Sequence, residues 1–94
     1  IGYYSYFNSD AAIIKLDNLF VLPEYIGKGI GNQLMQDFLN RIKENSDIKK
    51  VTLDADPNAE KFYQKFGFKT IGQLETSIKN RFLPVMELNL LSHF

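Results

Sequence analysis

The sequence predicts an α+β domain: a mixed, mostly antiparallel sheet of about five strands with two helices, in the order β-β-α-β-α-β-β. Three observations carry this. Residues 1–22 hold two β-type runs separated by a short polar stretch. Ile30, Leu34, Phe38 and Ile42 recur every four residues, which is one apolar stripe on a helix. The second half then gives a strand signal, a helix signal and two closing β-type runs. The 94 residues allow one domain, read as 1–94. A domain this small buries only roughly 60–65% of the surface its unfolded chain exposes. Its eight Phe and five Tyr are therefore important core material.

The elements follow in order. Residues 1–7 are rich in aromatics and are bounded by Asn8, Ser9 and Asp10, which is turn chemistry. Residues 12–22 form a longer β-type run, apolar on both faces, that stops at Pro23; this predicts an interior strand paired with the first as a hairpin. Tyr3, Tyr4, Tyr6 and Phe7 are expected in the sheet core. The helix after the glycine loop runs about four turns, with Met35 and Leu39 beside its stripe, Arg41 and Lys43 near its end, and Asn45-Ser46-Asp47 closing it. Residues 48–55 read as a short strand with Val51 and Leu53 inward. Asp56 and Pro57 are a helix start, and Gly67 is its stop. Residues 68–76 and 82–90 read as strands around a polar turn, Ser77 to Asn80. Pro84 predicts an edge or a bulge in the last one.

Composition excludes several function classes. Eleven basic and eleven acidic residues balance, which argues against a protein that holds nucleic acid through its phosphates. No run approaches the length of a membrane span, and no secretory signal is visible, so neither membrane nor export is expected and the compartment reads as cytoplasmic. With no cysteine and one histidine, His93 in the tail, no metal site is expected. The chain opens at Ile1, inside an apolar run, and further sequence is expected before it.

The candidate site is the loop Pro23 to Gly31, with three glycines in its last five residues, between a strand and a helix. A helix N-terminus offers unpaired N–H groups and a partial positive charge, and phosphate binds there when the backbone can come close. Gly27, Gly29 and Gly31 permit that approach, and Lys28 adds a charge at the rim. The spacing matches neither a Walker loop nor the dinucleotide fingerprint. A tight turn with close helix packing accounts for the glycines equally well.

The string 16–35, Leu-Asp-Asn-Leu-Phe-Val-Leu-Pro-Glu-Tyr-Ile-Gly-Lys-Gly-Ile-Gly-Asn-Gln-Leu-Met, resembles the acetyl-coenzyme A (acetyl-CoA) binding motif of the GNAT N-acetyltransferase superfamily. Residues 58–68, Asn-Ala-Glu-Lys-Phe-Tyr-Gln-Lys-Phe-Gly-Phe, resemble its second signature, and residues 81–88 its last strand in bacterial members. The resemblance implies transfer of an acetyl group from acetyl-CoA directly to an amine of a small molecule or protein. It implies that backbone N–H groups of Ile26, Gly27, Lys28, Gly29, Ile30 and Gly31 hold the pyrophosphate. Those near Val21 or Leu22 would polarise the acetyl carbonyl, and Asn58 would bond the coenzyme arm. Tyr63 would protonate the departing thiolate; as a residue alone it reads equally as a half-buried ring. Asp17, a charge on a strand read as buried, is the candidate base, and a salt bridge explains it as well; Glu24 is the alternative. Of Lys61, Lys65 and Lys69, one could meet the coenzyme's 3′-phosphate, against the plainer reading of a solvated face. Ile26 departs from the family's Arg or Gln. The resemblance also implies that an N-terminal strand-helix-helix-strand portion, which forms much of the acceptor pocket, is missing here. The competing expectation is a catalytically incomplete CoA-binding fragment that self-associates as a homodimer; a generic nucleotide binder is a third.

Overall fold

In the computed structural model, residues 2–78 and 81–90 are described. They form one five-stranded sheet in the order β1-β2-β3-β5-β4. The strands are β1 (Gly2–Asp10), β2 (Ile13–Val21), β3 (Lys50–Asp54), β4 (Lys69–Glu75) and β5 (Phe82–Asn89), with helices α1 (Ile30–Lys43) and α2 (Glu60–Gln64). The predicted element order and fold class hold. The β2–β3 pair is parallel and the other three pairs are antiparallel. His93 and part of the predicted 77–80 turn lie outside the described residues. Among the described residues, no helix is long and apolar enough to cross a membrane.

The core lies on the sheet face that α1 covers. Met35, Phe38, Leu39 and Ile42 of α1 meet Ile14, Leu16, Val51, Leu53, Met86 and Leu88 of the sheet, all buried. Phe38, Met35, Val51 and Met86 are wholly inaccessible. Strand alternation puts every second residue on this face. In β2 that alternation is broken once. Ser5 pairs with Asn18 and Tyr6 with Leu16, so Asp17 is the extra residue of a β-bulge. Before it Ile14 and Leu16 point inward; after it Leu19 takes over, packed against the core.

Five expectations need correction. β1 runs through Asn8-Ser9-Asp10, and the turn falls at Ala11 and Ala12, because those polar residues still pair with β2 on an exposed edge. Tyr3, Tyr6 and Phe7 are exposed rather than core: Tyr3 and Phe7 alternate onto the face opposite Tyr4 and α1, and Tyr6, though its ring meets Phe38 at 5.2 Å, lies on the edge strand where the helix covers it only in part. β2 is interior to the sheet, yet only one of its faces is fully buried, and Asp17 is exposed. β5 is interior, not an edge, and the irregularity nearest Pro84 is a register shift on the β4 side, between Thr70 and Gly72 opposite Met86 and Val85. Pro84 is tolerated because it sits where the β3 ladder ends: its carbonyl accepts the N–H of Ala55 at 2.8 Å, one residue past the last β3 pair. The predicted second helix is a 3-10 turn, Pro57–Ala59, followed by α2, and Asp56 caps it by accepting the Asn58 N–H at 2.8 Å.

Tyr4 ties β1 to α1. Its ring meets Phe38 edge-on, with centroids 5.6 Å apart, and its hydroxyl donates to Asp37, whose same oxygen also accepts Arg41 Nε at 3.1 Å. Desolvation, followed by the bond to Asp37, pushes the Tyr4 phenol up to about 12. Its contribution to stability is therefore intact below the ordinary tyrosine value of about 10 and is lost as pH rises toward the folded value. Melting curves at about pH 9 and about pH 11 should show wild type losing more stability than Tyr4→Phe. Equal losses would contradict the contact.

Candidate functional site

The site begins where two parallel strands part. β2 and β3 pair only over Ile13–Lys15 and Lys50–Thr52. Beyond that point β2 continues for six residues to Val21, while β3 ends at Asp54. The separation opens a groove of about 700 Å³. Leu19 and Val21 of β2 form one wall, the glycine loop and the first turn of α1 the end, and Phe62 and Tyr63 of α2 the other wall.

The glycine loop is built by local hydrogen bonds. A 3-10 turn, Pro23–Tyr25, starts it, with Tyr25 N–H on the Leu22 carbonyl at 2.8 Å. Ile26 N–H then bonds Pro23 at 3.3 Å, and Lys28 N–H bonds Tyr25 at 3.2 Å. Gly27 and Gly29 alternate with these at φ of 87° and 82°, a region L side chains rarely adopt. Gly29 caps α1 in that left-handed conformation without a side-chain cap. The N–H groups of Ile30 and Gly31 lie in the first turn, where no intrahelical acceptor exists. The amides of Ile26 and Lys28 are thus spent on the loop itself, while those of Gly27, Gly29, Ile30 and Gly31 have no acceptor within it.

The three glycines also differ from one another. A Cβ at Gly27 or Gly29 would meet nothing within 4 Å, so positive φ, not crowding, selects glycine there. A Cβ at Gly31 would reach the Phe62 ring at 3.4 Å, an ordinary van der Waals contact, so neither φ nor crowding requires glycine there. Positive φ thus selects glycine at two positions of the loop, while the third lies against α2.

Tyr63 is half-buried and lines the groove, edge-on to Phe62 at 5.3 Å and to Phe68 at 5.8 Å. Burial raises its phenol above the ordinary value, and the negative charge of Asp56 adds to the shift. Its carbonyl accepts the N–H groups of both Phe66 and Phe68, which anchors that turn. Val21, Ile26, Gly27, Gly29 and Gly31 are likewise in the lining.

Other predicted residues stand outside that lining. Leu22 and Asn58 are exposed beside it, Asn58 next to the lining residue Ala59. Lys28 holds its ammonium over the Tyr25 ring, 5.6 Å from the centroid. Asp17 is exposed at the bulge, where its carboxylate accepts Asn18 Nδ2 at 3.2 Å, and no ion pair holds it among the described residues. Glu24 is exposed as well. Sequence reasoning missed Phe62 as a wall. The signal available was its spacing in the second motif, four residues after Asn58 and one before Tyr63.

A family model described as an acetyltransferase (GNAT) domain matches residues 1–90. The chain belongs to the GNAT acetyltransferase family. Among curated relatives, it is 36% identical over 58 residues to the uncharacterized N-acetyltransferase YafP of Escherichia coli strain K12, covering 62% of this chain and 35% of that protein. It is 32% identical over 65 residues to the spermine/spermidine N(1)-acetyltransferase of Bacillus subtilis strain 168, covering 66% of this chain and 43% of that protein. The matched part is thus less than half of either relative. The fold is shared with a GNAT family acetyltransferase from Elizabethkingia anophelis solved with acetyl-CoA bound: TM-score 0.81 at 23% identity, over 96% of this chain and 69% of that one.

The GNAT loop geometry makes a stability prediction. Gly29→Ala forces a side chain into the left-handed region at a cost of about 1–2 kcal/mol, so the melting temperature should fall by at least about 4–8 °C. Gly31→Ala, whose Cβ reaches only ordinary contact distance, should melt near wild type. Equal losses at both positions, read by circular dichroism, would contradict the distinct roles.

Proposed function

We propose that this chain forms the coenzyme side of an N-acetyltransferase that moves an acetyl group from acetyl-CoA directly to an amine. The observation that carries the reading is the placement of Tyr63 across the groove from β2, with the four unspent amides of the glycine-shaped helix start at the groove's end. Gly27, Gly29, Ile30 and Gly31 suit the pyrophosphate, because an anion there gains both N–H bonds and the helix dipole. The apolar walls suit the pantetheine arm and thioester, with the Val21–Leu22 backbone beside the acetyl carbonyl as an oxyanion donor. Asn58 at the rim is positioned for the arm's amides.

The reaction balances with the residues at hand. The neutral amine attacks the thioester carbonyl and forms the C–N bond, the C–S bond breaks, and the thiolate takes the proton of the Tyr63 hydroxyl. The amine loses its proton to water, since Asp17 lies outside the groove lining; solvent returns a proton to the phenolate. A phenol raised by burial stays protonated well past neutrality, as a general acid requires. This chain has no cysteine to carry an acyl-enzyme, which agrees with direct attack.

The named N-acetyltransferase relatives support an amine acceptor, and one of them is named for spermine and spermidine. A polyamine is therefore the first acceptor to test. Thiol release from acetyl-CoA with spermidine should fall at least about 100-fold in Tyr63→Phe, the usual span of a general acid. The alkaline limb of the wild-type rate should lie above the ordinary tyrosine value. An unaltered rate in Tyr63→Phe would remove the acid from the mechanism.

A second reading has its own support. Tyr3, Phe7 and Phe20 are exposed on the face that the helices leave open, and the matched part is a minor share of each relative. A fragment that binds CoA without turnover fits those facts. Binding of acetyl-CoA with no thiol release from any amine would favour it.

A further inference from the structure

Helix α2 carries Tyr63, yet little within α2 holds it in place. It has five residues, and none of them is fully buried. A helix that short has no stability of its own in water. Its position therefore comes from its tethers. Two are local. Asp56 accepts the Asn58 N–H ahead of the helix, and the Tyr63 carbonyl accepts the N–H groups of Phe66 and Phe68 behind it. The third is long-range: the Thr70 hydroxyl of β4 donates to the Glu60 carboxylate. Among the described residues, this is the one side-chain hydrogen bond that joins α2 to the sheet, and no ion pair does so.

The third tether acts on the face of α2 that carries Tyr63. Glu60 and Tyr63 are one helical turn apart and share that face, with Cβ atoms roughly 5–6 Å apart. Phe68 and Thr70 flank Lys69 at the start of β4 and share a strand face, roughly 6.5–7 Å apart. The two spacings match. Tyr63 meets Phe68 edge-on at 5.8 Å, and Glu60 meets Thr70. Phe68 is buried in the core and fixes the first contact. A ring contact alone leaves the helix free to roll about it; the second contact stops that rotation. Neither Glu60 nor Thr70 lines the groove. Thr70 is exposed, so the bond adds little to global stability and its loss leaves the fold intact.

We propose that Glu60 and Thr70 are positioning residues for Tyr63: their bond latches α2 to β4 and thereby aims the Tyr63 hydroxyl across the groove. The assignment rests on the acid role of Tyr63 proposed above and names what holds that acid in place. A general acid works only within hydrogen-bond reach of the atom it protonates, and a displacement of about 1 Å costs up to about 100-fold in rate. The glycine loop stands apart from the latch, so the loss falls on kcat and spares the binding of acetyl-CoA.

Three variants and two readouts test this. Thr70→Val keeps the shape and removes the donor, whereas Thr70→Ser keeps the donor and Glu60→Gln keeps an acceptor oxygen. The ring-proton chemical shifts of Tyr63, set by Phe62 at 5.3 Å and Phe68 at 5.8 Å, report its placement without turnover. Thiol release from acetyl-CoA with spermidine reports catalysis. In Thr70→Val the Tyr63 ring shifts should move, kcat should fall at least about tenfold, and KM for acetyl-CoA should stay within about twofold. Thr70→Ser and Glu60→Gln should return both readouts toward wild type, with all melting temperatures within about 4 °C. Unaltered ring shifts and kcat in Thr70→Val, beside a slow Tyr63→Phe, overturn the latch and leave the acid reading standing. Ring shifts that move while kcat holds overturn the positioning role as well. An unaltered rate in Tyr63→Phe, or no thiol release by wild type, overturns the acid reading and this role with it.

Discussion

The parallel pairing of β2 with β3 lasts three residues, and the rest of the molecule depends on that brevity. A longer ladder would close the sheet and leave no groove. Two features keep the strands apart. On one side, β3 ends at Asp54 and the chain turns away through the Asp56-capped 3-10 turn. On the other, β2 carries a bulge at Asp17 that changes which residues face inward. Because of that change Leu19 and Val21, not Asn18, line the groove. The wall is apolar where a thioester arm would lie. Phe62 then closes the space from α2, its ring beside Gly31.

The two sheet faces are managed by different physics. The face under α1 is a packed apolar core with no buried polar side chain among its members. The other carries Lys15 paired with Asp54 and Lys50 paired with Glu87 across neighbouring strands, all part-exposed. Such pairs contribute little stability each, but cross-strand opposite charges favour the correct register. Toward β1 the same face turns aromatic, with Tyr3 and Phe20 5.5 Å apart and exposed. One-sided coverage explains why aromatics read as core from sequence lie in the open.

The elements most legible in the sequence were those set by local chemistry. The stripe Ile30, Leu34, Phe38, Ile42 located α1, Gly27 and Gly29 supplied their own positive φ, and Asp56 capped its own turn. What escaped was set by pairing. No local pattern marks Asp17 as a bulge, since a bulge exists only relative to a partner strand. Pro84 looks like an edge signal until the end of the β3 ladder falls beside it. The spending of the Ile26 and Lys28 amides inside the loop was likewise hidden, because it depends on a 3-10 turn that the glycines alone do not announce. The glycine loop was therefore legible as a place, while which of its amides are bonded within it needed the fold.

On the proposed reading the strand gap ends in a cradle whose anion donors are Gly27, Gly29, Ile30 and Gly31. Amide chemical shifts of the ¹⁵N-labelled chain during titration with acetyl-CoA test it most directly. The account predicts that these four resonances move most strongly and together, with the Ile26 and Lys28 amides, already bonded within the loop, moving less. Saturating shifts centred elsewhere, or none in the loop at millimolar ligand, would contradict it.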